Sequence, residues 1–263
     1  MDYVSSIENK VFKELYSLRN KKYRYLNKSY LIEGIKFLEE AINNNCNIKY
    51  IILIESKSSQ LNRKFQFDNL GYKVIVFSDT LFNKLKETEG SQGIIACVAM
   101  EIENLKFNYS GGMYILVDKI QDPGNLGTIV RTAVAAGAIG IIVMKGTVDL
   151  YNEKVLRSTM GSIFKISIYF QEDYEFLNEF ISNGFSIVVA DSNSENIYFK
   201  EDLTGNIVLV VGNEGNGISN EIKKINNKDI FIPMSNNLES LNVAQAMSII
   251  VFERIRQLYV KEN

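Results

Sequence analysis

Apolar runs too short to be helices alternate with stretches of helical period along most of the chain. The segment Ser29–Ile42 begins with a short apolar stretch and then changes period, so that Ile35, Leu38, Ala41 and Ile42 share one helical face. Tyr50–Ile54, Tyr72–Phe77 and Gly93–Ala99 are rich in β-branched and aromatic residues and read as strands. This alternation predicts a small α/β domain over residues 1–105. The polar stretch Glu101–Gly112, ending in Ser110-Gly111-Gly112, predicts a linker, placed at 106–112. Beyond it the rhythm strengthens. Strands are expected at Tyr114–Val117, Ile139–Met144, Ser186–Ala190, Ile207–Val211 and Asp229–Ile232, with helices over Leu126–Ala136 and from near Asn242 to Tyr259. Short, continuous apolar strands separated by helices predict a mainly parallel sheet covered on both faces, in residues 113–263.

Composition narrows the chemistry. The 263 residues include no histidine, which removes a Ser-His-Asp triad, an imidazole base and most zinc sites. The two cysteines, Cys46 and Cys97, have no close Cys partner, so neither a disulfide framework nor a metal site is expected. No apolar run approaches the roughly 20 residues that span a bilayer. Met1–Lys10 lacks the basic-then-apolar order of a signal peptide, and a cytoplasmic protein is expected.

Charge is unevenly divided. Residues 1–110 carry 16 Lys and Arg against 13 Asp and Glu, while residues 111–263 carry 13 against 18. Arg19, Lys21, Lys22, Arg24 and Lys28 fall within ten residues that contain no acid, interleaved with Tyr23 and Tyr25. Such a segment suits nucleic-acid phosphates and bases, and equally a solvated helix face.

In open α/β sheets, ligands bind beyond the carboxyl ends of strands. The segments after Val117, Val211 and Ile232 are therefore the places to search. In the first, Pro123-Gly124 makes a tight turn and Asn125 is predicted as a helix N-cap. Arg131 follows among apolar helix positions; its planar fork suits a phosphate, and a paired carboxylate would satisfy it as well. In the second, Gly212, Gly215 and Gly217 let the backbone approach a ligand closely. Glu214 stands where a dinucleotide fingerprint has its middle glycine, and no Gly-Lys-Ser/Thr follows. A carboxylate there repels pyrophosphate and favours a ligand with a positive centre or hydroxyls, unless it merely caps a turn. In the third, Pro233 ends the strand, and Ser240 and Asn242 sit at the mouth of a long helix. The apolar face of that helix is Val243, Ala246, Met247, Ile250 and Val251, and capping is the default use of its Ser and Asn.

Taken in this order, the three segments resemble the SpoU/TrmH family of the SPOUT methyltransferases. Asn125 and Arg131 match its first motif, Asn–x5–Arg. Gly212, Glu214 and Gly217 match its second, Gly-x-Glu-x-x-Gly, and Ile232–Met234 with Ser240–Val243 match its third. The resemblance runs from Met113 to the C-terminus, and Leu31–Gly34 looks like the start of the family's N-terminal substrate-binding domain, a ribosomal-protein-like α/β fold.

The resemblance implies a trefoil knot in the C-terminal domain, rare among folds. It implies S-adenosylmethionine as cofactor, held by Leu209, Val211, Gly212, Asn213, Gly217, Ile232, Met234 and Leu241. Asn125, Arg131, Glu214, Ser240 and Asn242 become the catalytic set for methylating a ribose 2′-hydroxyl of structured RNA. The basic residues Arg19, Lys21, Lys22, Arg24 and Lys28 become RNA contacts. Large-subunit ribosomal RNA is favoured as substrate over transfer RNA, with antibiotic-resistance methylases sharing the layout, and a homodimer through the terminal helix is expected. The base for the hydroxyl proton is Arg131, Glu214 or water, although a guanidinium holds its proton too tightly for that role near neutrality. A non-catalytic RNA- or ribosome-binding protein is the reading of another class, and cofactor binding separates the two.

Overall fold

In the computed structural model, which describes residues 1–67, 71–101, 106–225, 227–236, 238 and 240–262, the apolar runs become two sheets in two compact units. The first unit comprises Met1–Glu101 and Tyr151–Leu156; the second comprises Ile102–Leu150 and Arg157–Asn263. The domain boundary expected at 105 lies outside the described residues.

The first unit runs β1 (Asp2–Val4), α1 (Lys10–Ser17), α2 (Lys21–Asn27), β2 (Ser29–Glu33), α3 (Ile35–Asn43), β3 (Ile48–Ile54), α4 (Glu55–Phe65), β4 (Val74–Phe77), α5 (Asp79–Leu85) and β5 (Ile94–Ala99). Its sheet has the order β1-β4-β3-β5-β2, with β1, β4 and β3 parallel and β5 antiparallel to both neighbours. Asn9, Asn20 and Ser78 start α1, α2 and α5 by accepting backbone N–H groups that the helices leave unpaired. Leu15, Leu18, Phe77, Phe82 and Leu85 pack over Ile52, Ile75 and Ile95 as the core. Tyr151, from the separate segment, is buried against Tyr30, with ring centroids 4.6 Å apart.

The second unit runs β6 (Met113–Val117), α6 (Pro123–Ala135), β7 (Gly140–Met144), α7 (Glu153–Thr159, shared with the first), β8 (Ser167–Gln171), α8 (Leu177–Ser182), β9 (Ser186–Ala190), β10 (Ile207–Val211), α9 (Asn220–Ile225), β11 (Lys228–Ile230) and α10 (Val243–Glu262). All six strands are parallel, in the order β11-β9-β10-β6-β7-β8. Tyr114, Leu116, Ile142, Val208 and Val210 join Leu177, Phe180 and Ile222 of α8 and α9 in one buried cluster. The alternate residues Ile115, Val117, Ile141, Leu209 and Val211 are buried as well, and α6 packs against β7 and α10. Burial on both faces is why these strands read as unbroken apolar runs.

Four expectations change. The helix after β6 is capped by Asp122, whose carboxylate accepts the Asn125 N–H at 2.8 Å. Proline at the first helical position moves the cap back, because its missing N–H costs nothing there. Asn125 thus lies inside the first turn with its side chain available for other partners. The stretch expected as a linker packs instead: Phe107 lies 4.5 Å from the Tyr169 ring and 4.8 Å from that of Phe180. Aromatic area of this size is worth burying wherever the chain can reach. The last strand ends at Ile230, two residues before the expected end, with only an isolated bridge from Ile197 to Phe231. Finally, the edge strands β1 and β8 answer to no predicted run. Each is short, and its residues are largely exposed or half-buried.

Candidate active site

The parallel register brings four strand ends together. Val211 pairs with Val117, Val210 with Val189 and Ile230 with Ala190, so the chain leaves β6, β10, β9 and β11 at one edge. The Asp118 N–H continues the ladder to the Val211 carbonyl at 2.9 Å. A cavity of about 620 Å³ opens there. Seven of the eight residues expected to hold the cofactor line it: Val211, Gly212, Asn213, Gly217, Ile232, Met234 and Leu241. Leu209 does not. It lies two residues back in β10, fully buried between Ile115 and Val188, because strand alternation repeats the face of Val211 deeper in the core.

Two glycines shape the loop after β10. A Cβ on Gly212 would meet the Gly217 carbonyl oxygen at 2.5 Å, and Gly217 itself takes φ +67°. The loop closes through reciprocal bonds between the backbones of Asn213 and Gly217, at 3.0 and 2.9 Å. The Asn213 side chain is consumed within this turn: its Oδ1 accepts the Gly215 and Asn216 N–H groups, and its Nδ2 donates to the Lys119 carbonyl at 2.8 Å. Asn213 therefore lines the cavity as the organiser of the loop.

Asn125 joins the three loops. Its Nδ2 donates to Glu214 Oε1 at 2.9 Å, and its Oδ1 accepts from Asn242 Nδ2 at 2.8 Å. Asn242 Oδ1 in turn accepts the Ala244 and Gln245 N–H groups at the start of α10. Only one orientation of each amide satisfies the chain, since the carboxylate accepts and the helix start donates. Glu214 also accepts the Gln121 and Asp122 N–H groups, at 3.2 and 3.3 Å. Partial burial pushes its carboxyl up, but the Asn125 amide and the backbone N–H groups outweigh that, and it settles below the usual glutamate range. Glu214 is therefore a fixed anion that ties the turn after β6 to the loop after β10.

Arg131 and Ser240 stand apart from this network. Both are exposed, and among the described residues neither side chain has a hydrogen bond or ion pair. Ser240 lines the cavity; Arg131 projects from α6 one and a half turns beyond Asn125, outside the lining. The structure thus brings Asn125, Glu214 and Asn242 into contact, and among the described residues nothing engages the guanidinium.

The loop after β9 went unmarked in the sequence reading. Asp191, Ser192 and Asn193 form a further wall of the cavity, and Asp191 is held by Lys223 of α9 at 2.7 Å. The strand-end rule applies to this loop too, but Asp-Ser-Asn alone looks like an ordinary turn. Asp118 is the other residue missed. It is fully buried, accepting the Ser219 N–H at 2.7 Å and the Tyr174 hydroxyl at 2.8 Å, and so braces the loops from beneath.

The basic segment of the first unit divides. Arg24 is buried, and its Nη1 donates to the Leu18 and Arg19 carbonyls at 2.7 and 2.9 Å, closing the end of α1. It is a structural residue rather than an RNA contact. Arg19 pairs with Glu87 at 2.7 Å and donates to the Lys84 carbonyl. Lys28 takes φ +47° at the end of α2 and is exposed, as are Lys21 and Lys22. Helical period explains the division: residues 21, 22 and 24 cannot share one face. The expected apolar stripe of α10 also resolves, with Met247 and Val251 buried in the protein's own core while Val243, Ala246 and the buried Ile250 line the cavity. Among the described residues no acidic, Cys or His cluster could hold a metal ion, and no helix is long and apolar enough to cross a membrane.

The mainly parallel α/β fold is shared with methyltransferases of the SPOUT class. The fold matches an AdoMet-bound rRNA methyltransferase from Sinorhizobium meliloti, with a TM-score of 0.86, 29% identity and 98% of each chain covered. It also matches the SpoU methyltransferase AviRb from Streptomyces viridochromogenes in complex with AdoMet, with a TM-score of 0.87 and 25% identity over 96% of this chain and 99% of that one. In sequence, the chain is 31% identical to the 23S rRNA (guanosine(2553)-2′-O)-methyltransferase RlmP of Bacillus subtilis, over 96% of this chain and 98% of its relative. Residues 9–96 match the MRM3-like substrate binding domain, and residues 112–252 match the SpoU rRNA Methylase family. The chain belongs to the SpoU rRNA Methylase family. Its class is RNA ribose 2′-O-methyltransferase, and its cofactor is S-adenosylmethionine.

Proposed function

We propose that this protein methylates a ribose 2′-hydroxyl of large-subunit ribosomal RNA, with the cavity at the strand ends as cofactor site and Arg131 as the anchor of the RNA. The observation that carries the reading is the Glu214–Asn125–Asn242 chain, which pre-orders the first turn of α6, while among the described residues no ion pair or side-chain hydrogen bond engages the Arg131 guanidinium. Relatives named as 23S rRNA 2′-O-methyltransferases, RlmP of Bacillus subtilis among them, support ribosomal over transfer RNA.

The residues present fit S-adenosylmethionine. Val211, Ile232, Met234 and Leu241 supply apolar walls for an adenine, and the close turn at Gly212 keeps main-chain groups within reach of it. When bound, the cofactor supplies an electrophilic methyl group on a sulfonium. Asn125 and Asn242, locked to each other, orient the ribose, and Ser240 offers a hydroxyl at the cavity wall. Arg131 takes the phosphate of the target nucleotide in its planar fork. Positioning of this kind supplies much of the rate in a transfer that needs an in-line nucleophile. Glu214 stays ionised and committed to its donors, so it is a positioning residue, and the hydroxyl proton leaves to water.

Lys21, Lys22 and Lys28 of the first unit grip the RNA backbone away from the reacting ribose. The trefoil threading, a cytoplasmic location and a homodimer complete the reading. The dimer is built on α10, where Phe252, Tyr259 and Val260 stand exposed. The test is mass-spectrometric mapping of 2′-O-methylated nucleotides in ribosomal and transfer RNA, with and without the gene. Loss of one 2′-O-methyl group from large-subunit RNA is expected. A methyl group lost from a base, or no loss at all, overturns the proposal.

A further inference from the structure

The segment Arg19–Lys28 offers shape as well as charge. Between α1 and α2 lies an open hollow of about 360 Å³, lined by Tyr16, Ser17, Arg19, Asn20 and Tyr23. Two aromatic rings are left standing in it, Tyr16 at 46% and Tyr23 at 41% exposure. Tyr16 is backed from the core side by Phe12, nearly parallel at 24° with centroids 5.7 Å apart. The Arg19 guanidinium lies 5.4 Å from the centre of the Tyr16 ring. It is held in place by the ion pair with Glu87 and the Lys84 carbonyl. Lys22 lies 5.9 Å from the centre of the Tyr23 ring. Three planar groups are thus fixed around one hollow, at the head of a ten-residue run without a single acid.

We infer that this hollow binds one unpaired RNA base, stacked on the Tyr16 and Tyr23 rings beside the Arg19 guanidinium, while Lys21 and Lys22 neutralise the flanking phosphates. The planes select a flat, π-bearing ligand, and base–aromatic stacking tolerates any of the four bases. The surrounding cations select a polyanion. Bases within a duplex are stacked on each other and unavailable, so the RNA must present a loop, bulge or end here. The Lys–Tyr contacts already formed supply the attraction of cation to ring that a guest base would share.

The inference rests on the RNA-methyltransferase reading, but its test stands apart from methyl transfer. The full-length protein, without cofactor, is titrated into an RNA hairpin carrying 2-aminopurine in its loop. The wild type is expected to bind and quench the fluorophore. Tyr16→Leu/Tyr23→Leu is expected to bind at least about tenfold more weakly and to leave the fluorescence unquenched. Tyr23→Trp, placed in the Tyr16→Leu background, should restore both. With cofactor present, the double Leu variant should raise KM for RNA at least about tenfold and leave kcat within about twofold. If the double Leu variant fails to fold, Tyr16→Phe/Tyr23→Phe carries the test, because it keeps both rings and must bind as the wild type does. Wild-type binding and quenching by the double Leu variant, or a tenfold loss in the double Phe variant, overturns the inference. Absence of methyl transfer by the wild type would instead defeat the functional reading, and the binding comparison would still be readable.

Discussion

The strand-end loops of the second unit and the basic segment of the first unit begin alike, as clusters of polar side chains, and use them in opposite ways. In the loops, Asn125, Glu214 and Asn242 are spent on one another, and among the described residues nothing engages the exposed Arg131 side chain. In the basic segment, Arg24 and Arg19 are spent on closing α1 and on Glu87, while Lys21 and Lys22 stay exposed. The difference teaches that a polar residue's function follows from which partners the fold has already given it. A guanidinium bonded to two carbonyls is structure, and one with none is a site.

The strongest way to break that comparison is to exchange the roles of the arginines. Arg131→Ala should lower kcat/KM for RNA by about 10²–10³-fold, in line with loss of a charge-stabilising donor. Because its side chain is exposed and unengaged, stability in urea should stay within about 0.5 kcal/mol. Arg24→Ala should do the reverse. It strands buried carbonyls and should cost about 2–3 kcal/mol of unfolding free energy, with kcat little changed in the folded protein. Arg131→Ala with full activity would unseat the site assignment; Arg24→Ala with full stability would unseat the structural one.

Two glutamates sharpen the comparison through pH. Glu214 has its carboxyl lowered on folding, so the stability it contributes is present above the unfolded glutamate value of about 4.3 and is lost as pH falls through the lower folded value. Glu214→Gln should therefore flatten the acid limb of the melting curve and weaken cofactor binding by calorimetry several-fold, on the order of 1 kcal/mol. Glu87 shifts the other way. Burial, the hydrogen bond with Glu153 and that residue's charge push it up to about 7 against the pull of Arg19. The stability it contributes is full below about 4.3 and lost as pH rises through about 7. Between pH 5 and 8 the wild-type melting temperature should fall relative to that of Glu87→Gln; a parallel pair of curves would refute the shift.

The smallest effect belongs to the lysines. Lys21→Ala and Lys22→Ala should weaken RNA binding regardless of sequence, each reducing the slope of log affinity against log salt by about 0.7–0.9. An unchanged slope would make them solvent-facing only. Lys-to-Ala changes on an exposed helix face should leave the melting temperature alone.

Much of this molecule was legible in its residues, and the illegible part has one cause. Ser186–Ala190 and Ile207–Val211 fall where their apolar runs place them, because strands buried on both faces announce themselves locally. The motif order named the chemistry, and the missing histidine narrowed the proton acceptors. Edge strands Asp2–Val4 and Ser167–Gln171 were silent because half-exposed strands need little apolar sequence. The wall at Asp191, the internal use of Asn213 and the burial of Arg24 were silent for a different reason: each depends on which group lies opposite.

By itself, then, the sequence determined the core strands, the mainly parallel sheet, the family and three of the four loops that leave the sheet at the site. The tertiary structure alone decided that Asn125 is a bridge rather than a cap, that Glu214 ties two loops together, and that Leu209 is core. It also decided that Arg24 is buried while Lys21, Lys22 and Lys28 stay exposed. Local periodicity spans a few residues, whereas Asn125 meets Glu214 across 89 positions and Asn242 across 117. Only the register of parallel strands brings such residues within hydrogen-bond reach.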